Sequence, residues 1–374
     1  MGPAIEIRSV RTAADRRAFV RLPWQIHRDH RSWVPPLISE ERKFIDPESN
    51  LAFAYSNAVL ALACRGKAVC GRIMGIINRR YNEHADLRDA RFSCLECQDD
   101  VDVAEKLLAF VEKWTRSCGM ERIVGPMGFT DQDPEGYLVE GFEHEPTIAT
   151  YANFPFMNNL LQSCGYEKEV DYVVYKVRIP DRIPEAYERV VQRALAGGHV
   201  RAHEFRRRSE LKPFAERVVS LMNETFADLY GYVPLDEREM KDLGRKFLPV
   251  IDPRFVKIAT VDGHDAAFVL AMPNLDEGFR RADGRLFPLG FLRIMAAARR
   301  SRQLDLLVGG VKQEYRRYGL AVLGIALVLR SAREAGFEVM DSHLELESNL
   351  RMRAEMERLG GTVCKRYRIY RKLL

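Results

Sequence analysis

The sequence predicts an α/β (α+β) protein built from two successive copies of one unit, each a mixed, twisted sheet flanked by helices. Three observations predict it. The chain has 374 residues, more than a single core of ordinary size organises, so two domains are the natural expectation. Two stretches close alike: Leu160-Leu-Gln-Ser-Cys-Gly165 leads to Tyr172-Val-Val-Tyr175, and Glu355-Met-Glu-Arg-Leu-Gly360 leads to Tyr367-Arg-Ile-Tyr370, with equal spacing from glycine to final tyrosine. Earlier in each copy stands a hairpin pattern followed by a strand and a long helix.

Taken in order, the first hairpin pairs Ala58–Ala63 with Val69–Ile77 through Arg65-Gly66-Lys67. The second pairs Phe255–Thr260 with Ala266–Ala271 through Asp262-Gly263-His264. Short glycine turns between β-rich runs are the signal in both. A strand at Arg91–Cys97 and a helix at Val101–Ser117 follow the first hairpin. A strand at Leu304–Val311 and a helix at Leu320–Ala335 follow the second. Each copy then ends in a helix stopped by glycine and an alternating strand. The implied domains are 1–178 and 199–374, joined through the Pro- and Arg-containing stretch Val177 to Gly198.

Composition narrows the function classes. Hydrophobic content of 47% and charged content of 30% are those of a soluble globular protein. No apolar window is long enough to span a bilayer, and Met1-Gly-Pro-Ala-Ile-Glu-Ile-Arg8 lacks a signal-peptide layout. Seven cysteines without framework spacing fit a reducing compartment, so a cytoplasmic location is expected. Cys94-x-x-Cys97 has no second pair and reads as two core thiols on a strand, so no metal is expected. The net charge of +5 suits a phosphate-bearing ligand or an anionic surface and does not argue for nucleic acid.

The most informative segment is Val311-Lys-Gln-Glu-Tyr-Arg-Arg-Tyr-Gly-Leu-Ala-Val-Leu323. It joins an apolar strand to an apolar helix through small residues. The first-turn N–H groups of such a helix have no internal partner, and the helix dipole adds positive potential, so the turn can cradle phosphate. Gly319 and Ala321 keep side chains out of the cradle, and Arg316 and Arg317 add charge.

Arg316-x-x-Gly319-x-Ala321 resembles the Arg/Gln-x-x-Gly-x-Gly/Ala signature of the GNAT acyltransferases, and the element order of both copies matches the GNAT fold. That resemblance implies two tandem GNAT-like domains and coenzyme A or acyl-CoA as co-substrate. Its pyrophosphate would be held by Val311, Arg316, Arg317, Tyr318, Gly319, Leu320 and Ala321. At the equivalent turn the first copy reads Gln98-Asp-Asp-Val101, with two carboxylates where phosphates would sit, and is expected not to bind coenzyme A.

The first copy instead carries an insertion, Gly125 to Phe142 with a tail to Thr150. Asp131, Asp133, Glu135 and Glu140 alternate there with Phe129, Tyr137 and Phe142. It reads either as a solvated acidic loop or as an acceptor lid, in which Asp131 or Glu135 pairs with an ammonium and Phe129 and Tyr137 cover the chain behind it. Trp33-Val-Pro-Pro-Leu37, Gly125-Pro-Met-Gly-Phe129 and Leu138-Val-Glu-Gly-Phe142 resemble a bacterial family of tandem GNAT-like proteins. Asp133-Pro-Glu-Gly136 is similar to its ceramide synthase branch, which acylates the amine of a sphingoid base.

GNAT chemistry implies a proton acceptor where the fourth and fifth strands separate. The fifth strand of the second copy is expected over Glu338–Asn349, with His343, Glu345, Glu347 and Asn349 on one face. Glu347 is the favoured acceptor, with His343 as its rival. Asn349 matches a family position that contacts coenzyme A, and it would serve equally as a helix cap. Where many relatives carry an acidic tyrosine this chain has Met356, with Tyr367 and Tyr370 nearby in sequence.

The segment Arg280 to Arg302 combines arginines with apolar residues. It reads either as a peripheral contact with an anionic membrane through 286–302, at the inner face of the cytoplasmic membrane, or as an amphipathic helix packed on the sheet. The expected function is acyl-CoA-dependent N-acyl transfer to a primary amine, the sphingoid-base reading giving a ceramide-type amide. An acyl carrier protein could present the same thioester. The alternatives are acetylation of a small soluble amine or protein amino group, and a non-catalytic acyl-CoA- or lipid-binding protein.

Overall fold

The structure is a computed structural model that describes residues 3–147, 150–227, 229–248 and 250–374. The insertion's tail therefore lies partly outside the described residues, at 148 and 149. The first copy begins with β1 (Ile5–Ser9), α1 (Ala13–Ile26), α2 (Ile38–Phe44), β2 (Ser56–Arg65), β3 (Ala68–Asn78), α3 (Arg79–Ala85), β4 (Asp89–Cys97) and α4 (Val101–Ser117). It continues through β5 (Arg122–Gly125), β6 (Tyr137–Glu140), α5 (Phe156–Ser163) and β7 (Glu167–Arg178). The second copy opens with α6 (Glu185–Ala196), β8 (Val200–Glu204), α7 (Arg208–Leu211), α8 (Ala215–Phe226) and α9 (Glu237–Phe247). Next come β9 (Val256–Val261), β10 (His264–Pro273), α10 (Asp276–Ala282), α11 (Gly290–Arg300) and β11 (Gln303–Val311). It closes with α12 (Leu320–Glu334), β12 (Val339–Asp341), β13 (Glu345–Leu346), α13 (Leu350–Arg358) and β14 (Thr362–Leu373).

Local chemistry accounts for these boundaries. α1 opens with a capping box between Thr12 and Asp15, which satisfies two N–H groups reciprocally. The hairpin β9–β10 turns on Asp262 and Gly263, both at positive φ (50° and 83°), as a tight turn matched to strand twist requires. α5 and α13 end alike. Gly165 (φ 82°) and Gly360 (φ 76°) reverse the chain, and Tyr166 N and Gly361 N reach back to Leu161 O (3.0 Å) and Met356 O (2.9 Å). These bonds occupy carbonyls that the helix leaves open.

By packing, the chain divides into two compact units. The first comprises residues up to Val173 together with Asp276–Ala296 and Cys364–Leu374; the second comprises Val174–Leu275 and Ala297–Val363. In the first unit the sheet runs β1-β2-β3-β4-β5-β14 and on to β7. β4 and β5 are parallel and their neighbours antiparallel. Helix α4 lays Leu107, Leu108 and Val111 on this sheet, against Ile73 and Phe92 among others. In the second unit the sheet runs β8-β9-β10-β11-β12 and ends on Val174–Arg178 of β7. Helix α12 packs on β9 and β10 and buries Leu323, Ala326, Val328 and Leu329.

Two features differ from the sequence reading. The stretch expected to be a plain junction contains α6, which packs on α12, buries Tyr187 and Val191, and joins it through Glu188 and Arg330 (2.6 Å). The last strand of the chain belongs with the first unit: β14 pairs with β5 at Tyr370↔Gly125 and holds Asp171 of β7 through Arg368 (2.8 and 2.9 Å). Sequence order alone could not reveal this, because both β7 and β14 satisfy the same alternating pattern.

Tyr370 is 1% exposed and donates its hydroxyl to Asn158 Oδ1 (2.9 Å). Tyr370→Ala should cost about 3–5 kcal/mol. Hydrogen exchange should place the loosening in β5 and α5 of the first unit, far upstream in sequence, rather than in β9–β11.

Candidate functional site

The second unit carries the phosphate turn. β11 ends at Val311, a 3-10 turn spans Gln313–Tyr318, and Gly319 enters α12 at φ 71°. No side chain caps the helix. Its first internal bond runs from Leu323 N to Gly319 O (3.0 Å), so the N–H groups of Leu320, Ala321 and Val322 precede the ladder. Arg316, Arg317 and Ala321 are exposed, and Leu320 is buried. Glycine at 319 is required by its left-handed backbone and also by space, since a Cβ there would lie 2.7 Å from Val190 on α6. An open, positively flanked helix end of this kind fits a pyrophosphate.

The parallel strands β11 and β12 stay paired only at Gln303↔Val339, Leu304↔Met340 and Asp305↔Asp341, and then separate. The turn at 312–319 and the segment after Asp341 leave the same edge of this pair, the position where α/β sheets hold ligands. The expected continuous strand over Glu338–Asn349 is not formed. β12 stops at Asp341, and His343 adopts φ 58°, with its N–H bonded to Asp341 Oδ1 (3.1 Å). The period-two argument that put His343, Glu345, Glu347 and Asn349 on one face therefore fails at His343.

Beyond that kink, burial pushes the Glu345 carboxyl up to about 8. Glu347 is partly buried, and its carbonyl accepts from Arg353 Nη1 (3.0 Å). Asn349 is the N-cap of α13, its Oδ1 accepting from Met352 N (3.3 Å). Met356 is fully buried, and Tyr367 and Tyr370 are core residues of the first unit. Neither tyrosine is a solvent-facing acid.

The first unit repeats this geometry with different contents. β4 and β5 pair only at Asp89↔Arg122, Ala90↔Ile123 and Arg91↔Val124. The N-terminus of α4 is closed by its own acid: Asp100 Oδ1 accepts from Val103 N (3.2 Å) and Oδ2 pairs with Arg65 (2.6 Å). A capped, acid-filled helix end has no room for phosphate.

Past the splay, Ser93 to Cys97 of β4 form one wall of a cavity of about 220 Å³. Trp33, Val34, Tyr151, Phe154 and Met157 line it, with Arg72, Glu41, Glu96 and His27 among its polar groups. Arg72 Nη2 meets Glu96 Oε1 at 3.1 Å and its Nη1 meets Glu41 Oε2 at 3.4 Å. Burial opposes charge on Glu96, yet Arg72 and the neighbouring His27 ring hold its carboxyl down at about 2. Burial raises Glu41 despite Arg72. Burial likewise pushes the Cys94 thiol up to about 12 and lowers His30, beside His27, to about 4. Sequence reading missed this cluster because its members are scattered from His27 to Glu96; a charged pair inside two apolar strands, Arg72 on β3 and Glu96 on β4, was the available signal.

The insertion is packed rather than loose. Phe129 and Tyr137 are each 1% exposed. Phe129 packs edge-on against Phe44 and at a tilt against Phe53, and Tyr137 donates to Leu95 O. Asp133 Oδ2 accepts from Thr130 N (3.1 Å). Of Phe129, Asp131, Glu135 and Tyr137, the cavity wall contains Tyr137. Burial, then Asp131, raises the Glu135 carboxyl to about 8.

Two parallel-strand splays in succession, one with an open helix cradle and one without, match the fold of tandem GNAT proteins. The chain is similar in fold, along its length, to solved proteins. One is a tandem GNAT protein from the clavulanic acid biosynthesis pathway, with 12% identity over 99% of this chain and 98% of that one at TM-score 0.57. Another is a GCN5-related N-acetyltransferase from Sphaerobacter thermophilus, with 14% identity over 99% and 95% at TM-score 0.51. Among curated proteins it is similar to bacterial ceramide synthase from Caulobacter vibrioides, 28% identical over 98% of this chain and 96% of that protein. It is 24% identical to Protein YghO of Escherichia coli, over 98% and 95%. No family model matches the chain.

Glu135 gives a sign-definite prediction. Its carboxyl is raised when folded, so the stability it contributes is fully present below the ordinary glutamate range and is lost as pH rises through about 8. Glu135→Gln should therefore flatten the fall of stability across that window, where each tenfold change in proton affinity is worth about 1.4 kcal/mol. Thermal melts should show the variant more stable than the parent at pH 8.5 and near equal at pH 4.5. A variant that is less stable at pH 8.5 would show that the ionised carboxylate is held by a partner.

Proposed function

We propose that this protein is an acyl-CoA-dependent N-acyltransferase whose acceptor is a long-chain amine of the sphingoid-base class. The observation that carries the reading is the uncapped N-terminus of α12, flanked by Arg316 and Arg317, beside strands that part after Asp305 and Asp341. Backbone N–H groups of Leu320, Ala321 and Val322 would hold the pyrophosphate, with Val311, Tyr318 and Gly319 shaping the turn. The acyl thioester supplies an activated carbonyl. A neutral amine adds to that carbonyl, the new C–N bond forms, the C–S bond breaks, and one proton must leave the nitrogen. Glu345, held near pH 8, is the acceptor its environment favours, with Glu347 and His343 on the same segment.

Similarity to a protein named for ceramide synthesis supports the acceptor class. So does the segment that follows α10. Phe287 (77%), Leu289 (54%), Phe291 (46%) and Leu292 (60%) are exposed together, with Arg281, Arg285 and Arg293 exposed around them, while Ile294 and Ala297 turn inward. Apolar tips ringed by arginine suit an anionic bilayer, from which a long-chain amine would be drawn. No helix among the described residues is long and apolar enough to cross a membrane.

The experiment is product mass spectrometry with purified protein, acyl-CoAs of several lengths, and sphinganine in anionic vesicles against small soluble amines. Amide formed from sphinganine, and lost on Ala321→Glu together with calorimetric coenzyme A binding, is the expected result. Coenzyme A affinity that survives Ala321→Glu would remove the cradle, and product formed from soluble amines alone would make this a small-amine acetyltransferase.

Glu345→Gln should lower kcat on the order of 10²- to 10⁴-fold and abolish a rising limb of the pH–rate profile near pH 8. If Glu347→Gln has that effect and Glu345→Gln does not, the proton goes to Glu347.

A further inference from the structure

The cavity of the first unit lies where the GNAT fold parts its strands, yet its helix end is closed against phosphate by Asp100. Its contents point to a different ligand. The polar end is built around two carboxylates, Glu41 and Glu96, and one guanidinium whose Nη groups are already taken by both acids and by Phe19 O (3.0 Å). Glu96 Oε2, shielded from solvent, makes no hydrogen bond of ordinary length, and the Nε2 of the His27 ring lies 3.5 Å from it. A buried carboxylate oxygen without a short hydrogen bond is costly, so an N–H donor or a water entering the cavity would be well placed to serve it. The opposite walls are aromatic and aliphatic, which disfavours a ligand polar along its whole length.

We propose that this cavity binds the cationic head of a single-chain amphiphile, an alkylammonium whose nitrogen donates to Glu96 and whose first carbons lie against Trp33, Tyr151, Phe154 and Met157. The inference rests on the N-acyltransferase reading for the class of amine, and it concerns capture of that amine in the first unit, not the transfer step in the second. A cavity of about 150 Å³ can hold benzene. One of about 220 Å³ therefore takes a head group and a few methylenes, and the rest of the chain must leave through the mouth. Phe279 and Asp276 of α10 border that cavity, and the exposed apolar run from Phe287 follows α10 in the same unit. The site thus selects for charge at one end and length at the other, and it reads neither the hydroxyl pattern nor the chain terminus. A simple primary alkylamine should suffice as ligand.

The test is calorimetry on the full chain without any acyl-CoA, below the micellar range, with quenching of Trp33 as a second readout. Dodecylamine should bind at least tenfold more tightly than dodecanol or laurate, and butylamine and spermidine should bind weakly. Glu96→Gln should remove the preference for the amine while dodecanol binding persists. Because that variant disturbs a buried ion pair and could unfold the unit, Ala152→Phe provides an independent check. It fills the cavity wall without touching the cluster and should abolish dodecylamine binding while coenzyme A binding is retained. Equal affinity for amine, alcohol and laurate, or parental amine binding by Ala152→Phe, would overturn the proposal and leave water as the partner of Glu96. Such a result leaves acyl transfer untouched, whereas failure of coenzyme A binding in the parent protein would strike the functional reading and not this site.

Discussion

Two parallel strands that pair for only three positions and then part create a gap that something must fill. This constraint appears in each unit, between β4 and β5 and between β11 and β12. Strands that separate expose backbone groups and leave volume that a close-packed interior does not tolerate empty. The polar groups that enter such a gap sit in low dielectric, so their protonation departs from ordinary values. Glu345 in the second unit and Glu96 in the first illustrate opposite outcomes. Burial alone acts on Glu345, and its carboxyl is raised. Glu96 has burial with Arg72 and is lowered. The same backbone event thus goes with a carboxyl raised in one place and lowered in another.

The helix beside each gap tells the same story in terms of hydrogen bonds. α12 leaves its first N–H groups without a side-chain cap, while α4 has Asp100. A single aspartate takes one of the donors that a pyrophosphate would otherwise meet, Val103 N, and its charge would repel phosphate besides. The side chain that stabilises the start of α4, where a good cap is worth about 1 kcal/mol, is thus the same one that works against phosphate there.

Much of this was legible in the residues. The hairpins, the helix from Val101 to Ser117 and the glycine-stopped helices follow from period and turn chemistry, which act locally. Gly319 and the arginines before it were readable for the same reason: an open helix end is a short-range motif. The kink at His343 was not readable, because alternation presumes a strand and nothing in Ser342-His343-Leu344 announces a left-handed residue. The Arg72–Glu96 cluster was hidden by distance along the chain. The insertion was readable only in part from composition. Nothing in its carboxylates announces that Phe129 and Tyr137 draw the loop into the core and carry Glu135 with them. The role of 179–198 was lost because α6 gains its burial from α12, a partner more than a hundred residues away.

The placement of β14 has a consequence for how the protein comes into being. The sheet of the first unit has a vacant position beside β5 until residues 364–374 arrive. A ribosome delivers the amino-terminal residues first, and many domains fold as soon as they emerge. Here the earlier unit must wait, its edge unpaired and Val124 and Ile123 without their cover, while the later unit is translated. An exposed strand edge is a template for pairing with other chains. Nascent chains of this protein should therefore depend on holdase chaperones for most of their synthesis, and premature termination near the end would release a product whose damage lies at its beginning.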